Sequence, residues 1–294
     1  IDYDNSGMSI LSISHRSDLF IDLMSQTKSS VRTLLNVPDD YEIAFITGGA
    51  SEQFSDVPKN LAQAADHADY AVMGHWGKVA VKYAKEFINV REVSSVNNKI
   101  DLDWNLNKDS KYLHITNNET ANGIDFFDVT PINKNIKDMG SDMFIVSDMS
   151  SCLFSRPIDI SQYGVIYACA QKNFGPSGLS LVIIRKDLLN LARSPIEKTR
   201  NYKAVISKDS IVNTPNTFGV YLASRVFEWI KRCGGVEFFA KENARKAQLL
   251  YDAIDSSDIY INNIPKEYRS HMNIVFEIDN KLDKKLDKKL DKKL

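Results

Sequence analysis

The sequence predicts an α/β fold in which a mostly parallel, mixed sheet is flanked by helices. Apolar, β-branched runs of strand length alternate with helical patterns over most of the chain, which is typical of strand–helix–strand units. The runs are apolar almost without interruption, as strands covered on both faces require. The chain has 294 residues, of which 43% are apolar, enough to bury a large core.

The predicted elements of the sheet begin with a strand that ends in Gly48 and Gly49. A helical pattern follows this strand, and another follows the second strand. In chain order the elements are "YEIAFITGG", "SEQFSDVPKNLAQAA", "ADYAVMG", "WGKVAVKYAKEF", "MFIVSDMS", "GVIYACA" and "LSLVIIRKDLL". The second and fourth are predicted helices, and the others are predicted strands.

Two long helices and one strand are predicted after the sheet. The first helix covers "TFGVYLASRVFEWIKR", with Thr217 as candidate N-cap and Gly234 and Gly235 as its end. The second covers "VEFFAKENARKAQLLYDAI", and "HMNIVFEI" reads as the strand that follows.

Three regions are predicted from these patterns. Residues 1–235 form a large domain with the N-terminal segment, residues 236–280 begin an incomplete smaller domain, and residues 281–294 form a low-complexity tail. The tail, "KLDKKLDKKLDKKL", has leucine every fourth residue, a spacing that drifts by about 40° per step on a helix. A solvated tail is the favoured interpretation, and a basic amphipathic segment for a membrane surface or partner is the alternative.

The composition argues against several classes of protein. A formal net charge of -1 gives no reason to expect nucleic acid or an anionic membrane as partner. No apolar run is long enough for a membrane helix and the start does not resemble a signal peptide, so we expect a cytoplasmic protein. The three cysteines lack CxxC spacing and the five histidines lack ligand spacing, so we predict neither a disulfide framework nor a metal site.

The stretch "FITGGASEQF" is a candidate anion site. A strand that runs through Gly48 and Gly49 into a helix near Ser51 leaves backbone N–H groups unpaired at the helix start, beside a hydroxyl. The stretch has neither the GK[ST] of a P-loop nor GxGxxG, so nucleotide binding is not indicated. Ser51 as a simple helix cap explains the pattern equally well.

Two further side chains follow predicted strands. Asp148 ends an apolar strand, where ligand crevices of open α/β sheets lie; it is either a helix N-cap or the partner of a buried cation. Trp76 comes just after another strand, where an aromatic ring either packs or forms the floor of a planar ligand's site.

Lys172 lies in "YACAQKNFGPSGLS", between an apolar strand and a turn rich in glycine and proline. A lysine that reaches the surface is the ordinary interpretation. We expect instead a desolvated amine, which loses its proton more readily and becomes a nucleophile. An anion site, a carboxylate, an aromatic ring and such a lysine, all at strand ends, are what pyridoxal phosphate requires.

These residues resemble the phosphoserine aminotransferase family, in class V of the fold-type I pyridoxal-phosphate enzymes. The resemblance covers residues 1–278. Six blocks carry it, and the fifth is close to diagnostic: "SHRSDLF", "TGGASEQF", "GHWGKVA", "NNETANGI", "SRPIDISQYGVIYACAQKNFGPSGL" and "NTPNTFGVYLA".

The resemblance implies a role for each matching residue. Lys172 would bond to the cofactor's aldehyde and, once released, move the proton between Cα and C4′. Asp148 would keep the pyridine nitrogen protonated, Trp76 would stack on the ring and Thr120 would approach its 3′-oxygen. The residues implied in holding the phosphate are Ala50, Ser51 and Gln171, with Asn213 and Thr214 from the partner of a homodimer. His15 and Arg16 would bind the substrate's distal phosphate or carboxylate, a task suited to the guanidinium fork.

The implied reaction is transamination between L-glutamate and 3-phosphohydroxypyruvate, with 4-phosphohydroxy-threonine as a further substrate class. Family members extend beyond both ends of this chain, and their C-terminal part carries an arginine for the substrate's α-carboxylate. We therefore expect a truncated chain, and a catalytically impaired homologue that still folds, dimerises and binds cofactor is the alternative. Another class-V activity, alanine–glyoxylate transamination or cysteine desulfuration, is disfavoured because the His15–Arg16 pair indicates a distal anion.

Overall fold

A computed structural model describes residues 2–93 and 104–278. Its strands are β1 (Tyr41–Thr47), β2 (His67–Ala71), β3 (Asn89–Val93), β4 (Tyr112–Thr116), β5 (Asn118–Glu119), β6 (Ile124–Asp125), β7 (Phe144–Asp148), β8 (Val165–Cys169), β9 (Leu179–Arg185), β10 (Tyr260–Ile261) and β11 (Glu277–Ile278). Its α-helices are α1 (Asp18–Leu35), α2 (Ala50–Leu61), α3 (His75–Ala84), α4 (Thr130–Asp138), α5 (Ala170–Asn173), α6 (Tyr202–Ile206), α7 (Thr217–Arg232) and α8 (Gly235–Asp255).

Seven strands form the central sheet in the order β1-β9-β8-β7-β4-β2-β3. Strand β9 runs antiparallel to β1 and β8, whereas β8, β7, β4, β2 and β3 are mutually parallel. This mixed, mostly parallel sheet confirms the predicted fold class. Because all strands of the sheet except β9 point the same way, the carboxyl ends of β1, β2, β4, β7 and β8 lie along one edge, where ligand crevices form in such sheets.

Both faces of the sheet are covered. Along β1, Ile43 and Phe45 join the core on one face, and Ala44 and Ile46 join the core on the other. Helices α1 and α7 pack on the first face, and α2 and α3 pack on the second. Successive side chains of a strand point to opposite faces, which explains why the strands read as unbroken apolar runs in the sequence.

The predicted strands and helices of the large domain are confirmed, with small shifts at their ends. Two predictions farther along the chain are wrong. The N-cap of α7 is Asn216, whose side chain accepts a hydrogen bond from the N–H of Gly219 at 2.8 Å, and not Thr217. The stretch "HMNIVFEI" is a strand only at β11, because the hydroxyl oxygen of Ser270 accepts the N–H groups of Met272 and Asn273 and turns the chain there.

The segment after residue 235 contacts the main core at its start and again at Ile264 and Tyr268. Val236, at the start of α8, belongs to the core beside the sheet. Farther along the helix, Ala247, Tyr251 and Ile254 form a small separate cluster. The predicted domain boundary at residue 235 stays a prediction.

The low-complexity tail, residues 281–294, lies outside the described residues. Within the described ranges, no helix combines the length and the apolar character that crossing a bilayer would need.

Candidate active site

A cavity of about 310 Å³ opens at the carboxyl edge of the sheet. It is bordered by the ends of β4, β7 and β8 and by the first turns of α2 and α3. Seven of the residues predicted from the sequence line it: Ala50, Ser51, Trp76, Thr120, Asp148, Gln171 and Lys172. The sheet topology therefore brings together side chains that lie far apart in the sequence.

Asp148, the last residue of β7, is buried beneath this cavity with 5% of its surface exposed. One of its oxygens accepts the N–H of Ser150 at 2.8 Å in a turn, so the helix-cap interpretation is wrong. Burial raises the pKa of Asp148 to about 6, while the Ser150 hydrogen bonds and the Lys172 charge oppose that shift. A buried carboxylate of this kind favours a cationic ligand, which would offset the cost of burying its charge.

Lys172 lies on α5, a four-residue helix that directly follows β8. Ala170 packs into the core, whereas Gln171 and Lys172 are exposed and line the cavity. The expectation of a desolvated ammonium is therefore wrong for this chain by itself, since a helix of one turn buries only its inward side. The position of the lysine, beside the carboxyl edge of the sheet and the Asp148 charge, is as predicted.

The first turn of α2 forms one wall of the cavity. Gly49 is the N-cap, and its N–H is accepted by the Glu52 carboxylate at 2.6 Å. The next N–H groups, of Ala50 and Ser51, have no intrahelical acceptor because they belong to the first turn. These donors, the hydroxyl of Ser51 and the positive end of the helix dipole make the turn suitable for an anion.

Trp76 forms another wall, in the first turn of α3, and it is half-buried. The backbone N–H of Trp76 donates to one oxygen of Glu119 at 3.1 Å, and the backbone N–H of Gly77 donates to the other at 2.6 Å. Thr120 follows Glu119 and also lines the cavity. The Glu119 carboxylate therefore links the first turn of α3, which carries the indole ring, to the segment that carries Thr120.

Thr116 and Asn118 line the cavity too, and sequence reasoning missed them. Both are buried, and the Thr116 hydroxyl and the Asn118 amide oxygen have no hydrogen-bond partner among the described residues. Their signal was available, because Thr116 is the last residue of β4 and Asn118 comes two residues later, but the apolar strand "YLHIT" was not recognised. Two cavity-lining residues thus carry a buried polar atom that the described residues leave unpaired, which is uncommon in a folded protein.

Four of the predicted residues do not line the cavity of their own chain. Asn213 and Thr214 are exposed between α6 and α7, and Asn213 lines a separate cavity with Thr47 and Arg200. His15 is half-buried and Arg16 is exposed, both in the segment before α1.

Comparisons with known proteins agree with this geometry. The chain matches the family model described as Aminotransferase class-V over residues 2–293. The phosphoserine aminotransferase of Ruthia magnifica subsp. Calyptogena magnifica is 43% identical over 284 residues, which are 94% of this chain and 76% of that protein.

Solved structures extend the comparison to the fold. Phosphoserine aminotransferase from Trichomonas vaginalis, solved with bound pyridoxal phosphate, matches with a TM-score of 0.86 and 35% identity, covering 95% of this chain and 78% of that one. The enzyme from Bacillus circulans subsp. alkalophilus matches with a TM-score of 0.88 and 34% identity, covering 100% of this chain and 81% of that one.

Fold, cavity and family match together define a transaminase of class V that uses pyridoxal 5′-phosphate. Within that class, the chain belongs to the phosphoserine aminotransferase family. The cavity has the donors and acceptors that the cofactor needs: a helix start for a phosphate, an indole ring, a buried carboxylate and a primary amine. The residues present therefore fit the cofactor.

Proposed function

We propose that this protein transfers the amino group of L-glutamate to 3-phosphohydroxypyruvate, giving O-phospho-L-serine and 2-oxoglutarate, as a step of serine biosynthesis. The main support is the cavity in which Lys172, Asp148 and Trp76 meet at the start of α2. The names of the relatives support the substrate class. 4-Phosphohydroxy-threonine has the same distal phosphate and is a second substrate to test. A cytoplasmic location is part of the proposal.

The cofactor would lie between the two walls of the cavity. Asp148 would face the protonated pyridine nitrogen, a cation that matches the buried carboxylate. Trp76 would cover one face of the ring, and Thr120 would contact the 3′-oxygen. The residues proposed for the phosphate within this chain are Ala50, Ser51 and Gln171.

Bound pyridoxal phosphate supplies an electron sink for the bond broken at the substrate's Cα. The amine of Lys172 would take the proton from that carbon and deliver it to C4′ of the cofactor, before water releases the keto acid, which is the role of a positioned general acid–base. The carboxylate of Asp148 holds the ring nitrogen in its protonated form. The indole of Trp76 excludes water from one side of the reacting groups.

We assign the substrate's distal anion to His15 and Arg16. In the described parts of the chain, the Arg16 guanidinium lies within ion-pair distance of no carboxylate, so it is available to an external oxyanion. A guanidinium recognises phosphate bidentately. These two residues do not line the cavity that holds Lys172.

A homodimer is part of the same proposal. Asn213 and Thr214 are exposed and lie apart from the Lys172 cavity of their own chain, which supports their contribution to the neighbouring active site. Mixing Lys172→Ala chains with chains that carry Asn213→Ala and Thr214→Ala tests this. Hybrid dimers hold one intact site and should regain activity that neither parent shows; a mixture that stays inactive although hybrids form would contradict it.

The reaction itself is tested by measuring one half-reaction, in which an amino acid converts the bound cofactor. Protein saturated with pyridoxal phosphate should convert to the pyridoxamine form with phosphoserine and with glutamate, which its visible spectrum reports. Borohydride reduction before substrate addition, followed by peptide mapping, should label Lys172. Cofactor binding without conversion by either amino acid would overturn the proposed activity and favour the impaired homologue.

A further inference from the structure

Glu119 is buried, with none of its surface exposed, although it is a carboxylate. It lies in β5, the first strand of a short hairpin with β6. The N–H groups of Asn122 and Gly123 donate to its carbonyl oxygen at 3.2 and 2.8 Å, so its backbone is fixed by the hairpin turn. Its side chain is directed at the first turn of α3.

The Glu119 carboxylate binds that turn with both oxygens. One oxygen accepts from the N–H of Gly77 at 2.6 Å and the other from the N–H of Trp76 at 3.1 Å. The side-chain oxygen of Asn122 accepts the N–H of His75 at 3.4 Å. The hairpin therefore supplies an acceptor to each of the first three N–H groups of α3, which a helix cannot satisfy internally.

The glycines on either side of the tryptophan make this contact sterically feasible. A Cβ on residue 74 would lie 2.7 Å from the carboxyl carbon of Glu119. A Cβ on residue 77 would lie 3.0 Å from the carbonyl oxygen of Ala71 and 3.2 Å from a Glu119 oxygen. The "GHWG" segment is thus fitted to a carboxylate that approaches the backbone beside Trp76.

These donors balance the charge on Glu119, which forms no ion pair within the described ranges. Burial raises the pKa of Glu119, and the hydrogen bonds from Gly77 and Trp76 oppose that shift. Hydrogen bonds from backbone N–H groups to a charged acceptor are stronger than neutral ones. The positive end of the α3 dipole adds to them.

We propose that Glu119 is the positioning residue of Trp76: it fixes the first turn of α3 so that the indole ring is held at the cavity before any ligand binds. The proposal rests on the stacking role proposed for Trp76 above. Because Thr120 follows Glu119 directly, the same carboxylate also sets the distance between the two side chains on that wall.

The first experiment uses apoprotein labelled with 5-fluorotryptophan, which needs no cofactor. The chain has three tryptophans, so the ¹⁹F spectrum has three resonances, assigned by single Trp→Phe changes. In Glu119→Gln an amide NH₂ must face one of the two N–H donors, so the Trp76 resonance should move while that of exposed Trp229 stays. An unmoved Trp76 resonance in folded Glu119→Gln overturns the proposal.

The matched control is Asp69→Asn. Asp69 is equally buried and accepts the N–H of Asn107 and the hydroxyl of Ser110, both at 2.8 Å and both before the start of β4. Its substitution should leave the Trp76 resonance in place. If Glu119→Gln does not fold, Glu119→Asp, which keeps the charge but is too short to reach both N–H groups, should move that resonance; no movement in it also overturns the proposal.

The second experiment measures pyridoxal phosphate affinity in a double-mutant cycle. Glu119→Gln should weaken binding by about tenfold or more, as expected for loss of a hydrogen bond to a charged group. In a Trp76→Ala background the same change should have little effect, because the residue through which it acts is gone. An equal loss in both backgrounds overturns the proposal. Wild-type protein that binds no pyridoxal phosphate contradicts the proposed function, whereas the ¹⁹F result still decides the role of Glu119.

Discussion

Buried polar groups are paired differently at the two edges of the central sheet, that is, at the amino ends and at the carboxyl ends of its parallel strands. Toward the amino edge, Asp69 of β2 is fully buried and both of its oxygens are paired, with Asn107 and Ser110, which precede β4. At the carboxyl edge, Asp148 has one backbone donor, from Ser150, and its pKa is raised to about 6 by burial. Thr116 and Asn118 line the same cavity, and each has one buried polar atom without a hydrogen-bond partner in the described part of the chain.

This difference in pairing indicates that the two edges of the sheet contribute differently to stability and to function. A buried polar group that is paired stabilises a single structure, whereas one left unpaired costs free energy until a ligand satisfies it. The amino edge is therefore expected to affect folding and the carboxyl edge to affect binding and turnover. Each substitution below tests one side of this division.

The largest effect is expected for Lys172→Ala at the carboxyl edge. Its turnover should fall by at least roughly 10³-fold, within the range that a positioned general base supplies. Its melting temperature should hardly change, because the side chain is exposed. Lys111→Ala, at the amino edge beside Asp66, is the control and should keep full activity. Equal activity in both variants would contradict the assignment.

Asp148→Asn should come next, with opposite effects on activity and on stability. Turnover should fall by about 10²- to 10³-fold, as when a preorganised electrostatic partner is removed. The apoprotein should become more stable near neutral pH, because an ionised buried carboxylate is no longer present. Steady-state kinetics and denaturant unfolding of the apoprotein measure the two effects.

The stability difference between Asp148→Asn and the wild-type protein should also depend on pH. Burial raises the pKa of Asp148 from 3.8 to about 6, so the folded wild-type protein binds the proton more tightly than the unfolded chain does. Wild-type stability from this group is therefore lost as pH rises through that interval. The advantage of Asp148→Asn should be small near the lower pKa and grow to roughly 3 kcal/mol above the upper one. A constant advantage across that range would show that the carboxylate titrates normally.

Asp69→Asn should show the reverse behaviour at the amino edge. Loss of a charged acceptor for two buried donors should lower the free energy of unfolding by about 1–3 kcal/mol. kcat and KM should stay at wild-type values, since Asp69 does not line the cavity. A change in KM with unchanged stability would show that the two edges are not separate in function.

Many of the residues at the carboxyl edge could be predicted from the sequence. The residues that could not be predicted were missed for physical reasons. Asp148, Trp76 and Ser51 were found because each follows an apolar run, and parallel strands bring such ends together. Thr116 and Asn118 also lie at the end of a parallel strand, but they were missed because that strand, β4, was not recognised.

Burial was harder to predict than position. The exposure of Lys172 depends on how short α5 is, which the apolar run before it does not reveal. The role of Glu119 depends on a contact between a hairpin and a helix, made by residues 42 and 43 positions apart in the sequence, and no local pattern encodes that pairing.

The smallest effect is expected for Ser51→Ala, because only one neutral hydroxyl is lost and the backbone donors of α2 remain. Pyridoxal phosphate affinity should fall about two- to tenfold, the range for a single neutral hydrogen bond. Ser55→Ala, one turn along the same helix and not part of the lining of the Lys172 cavity, carries the same chemical change and should leave affinity unchanged. Fluorescence titration of both variants compares them directly. If both lose affinity equally, the hydroxyl acts through helix stability and the anion is held by the backbone alone.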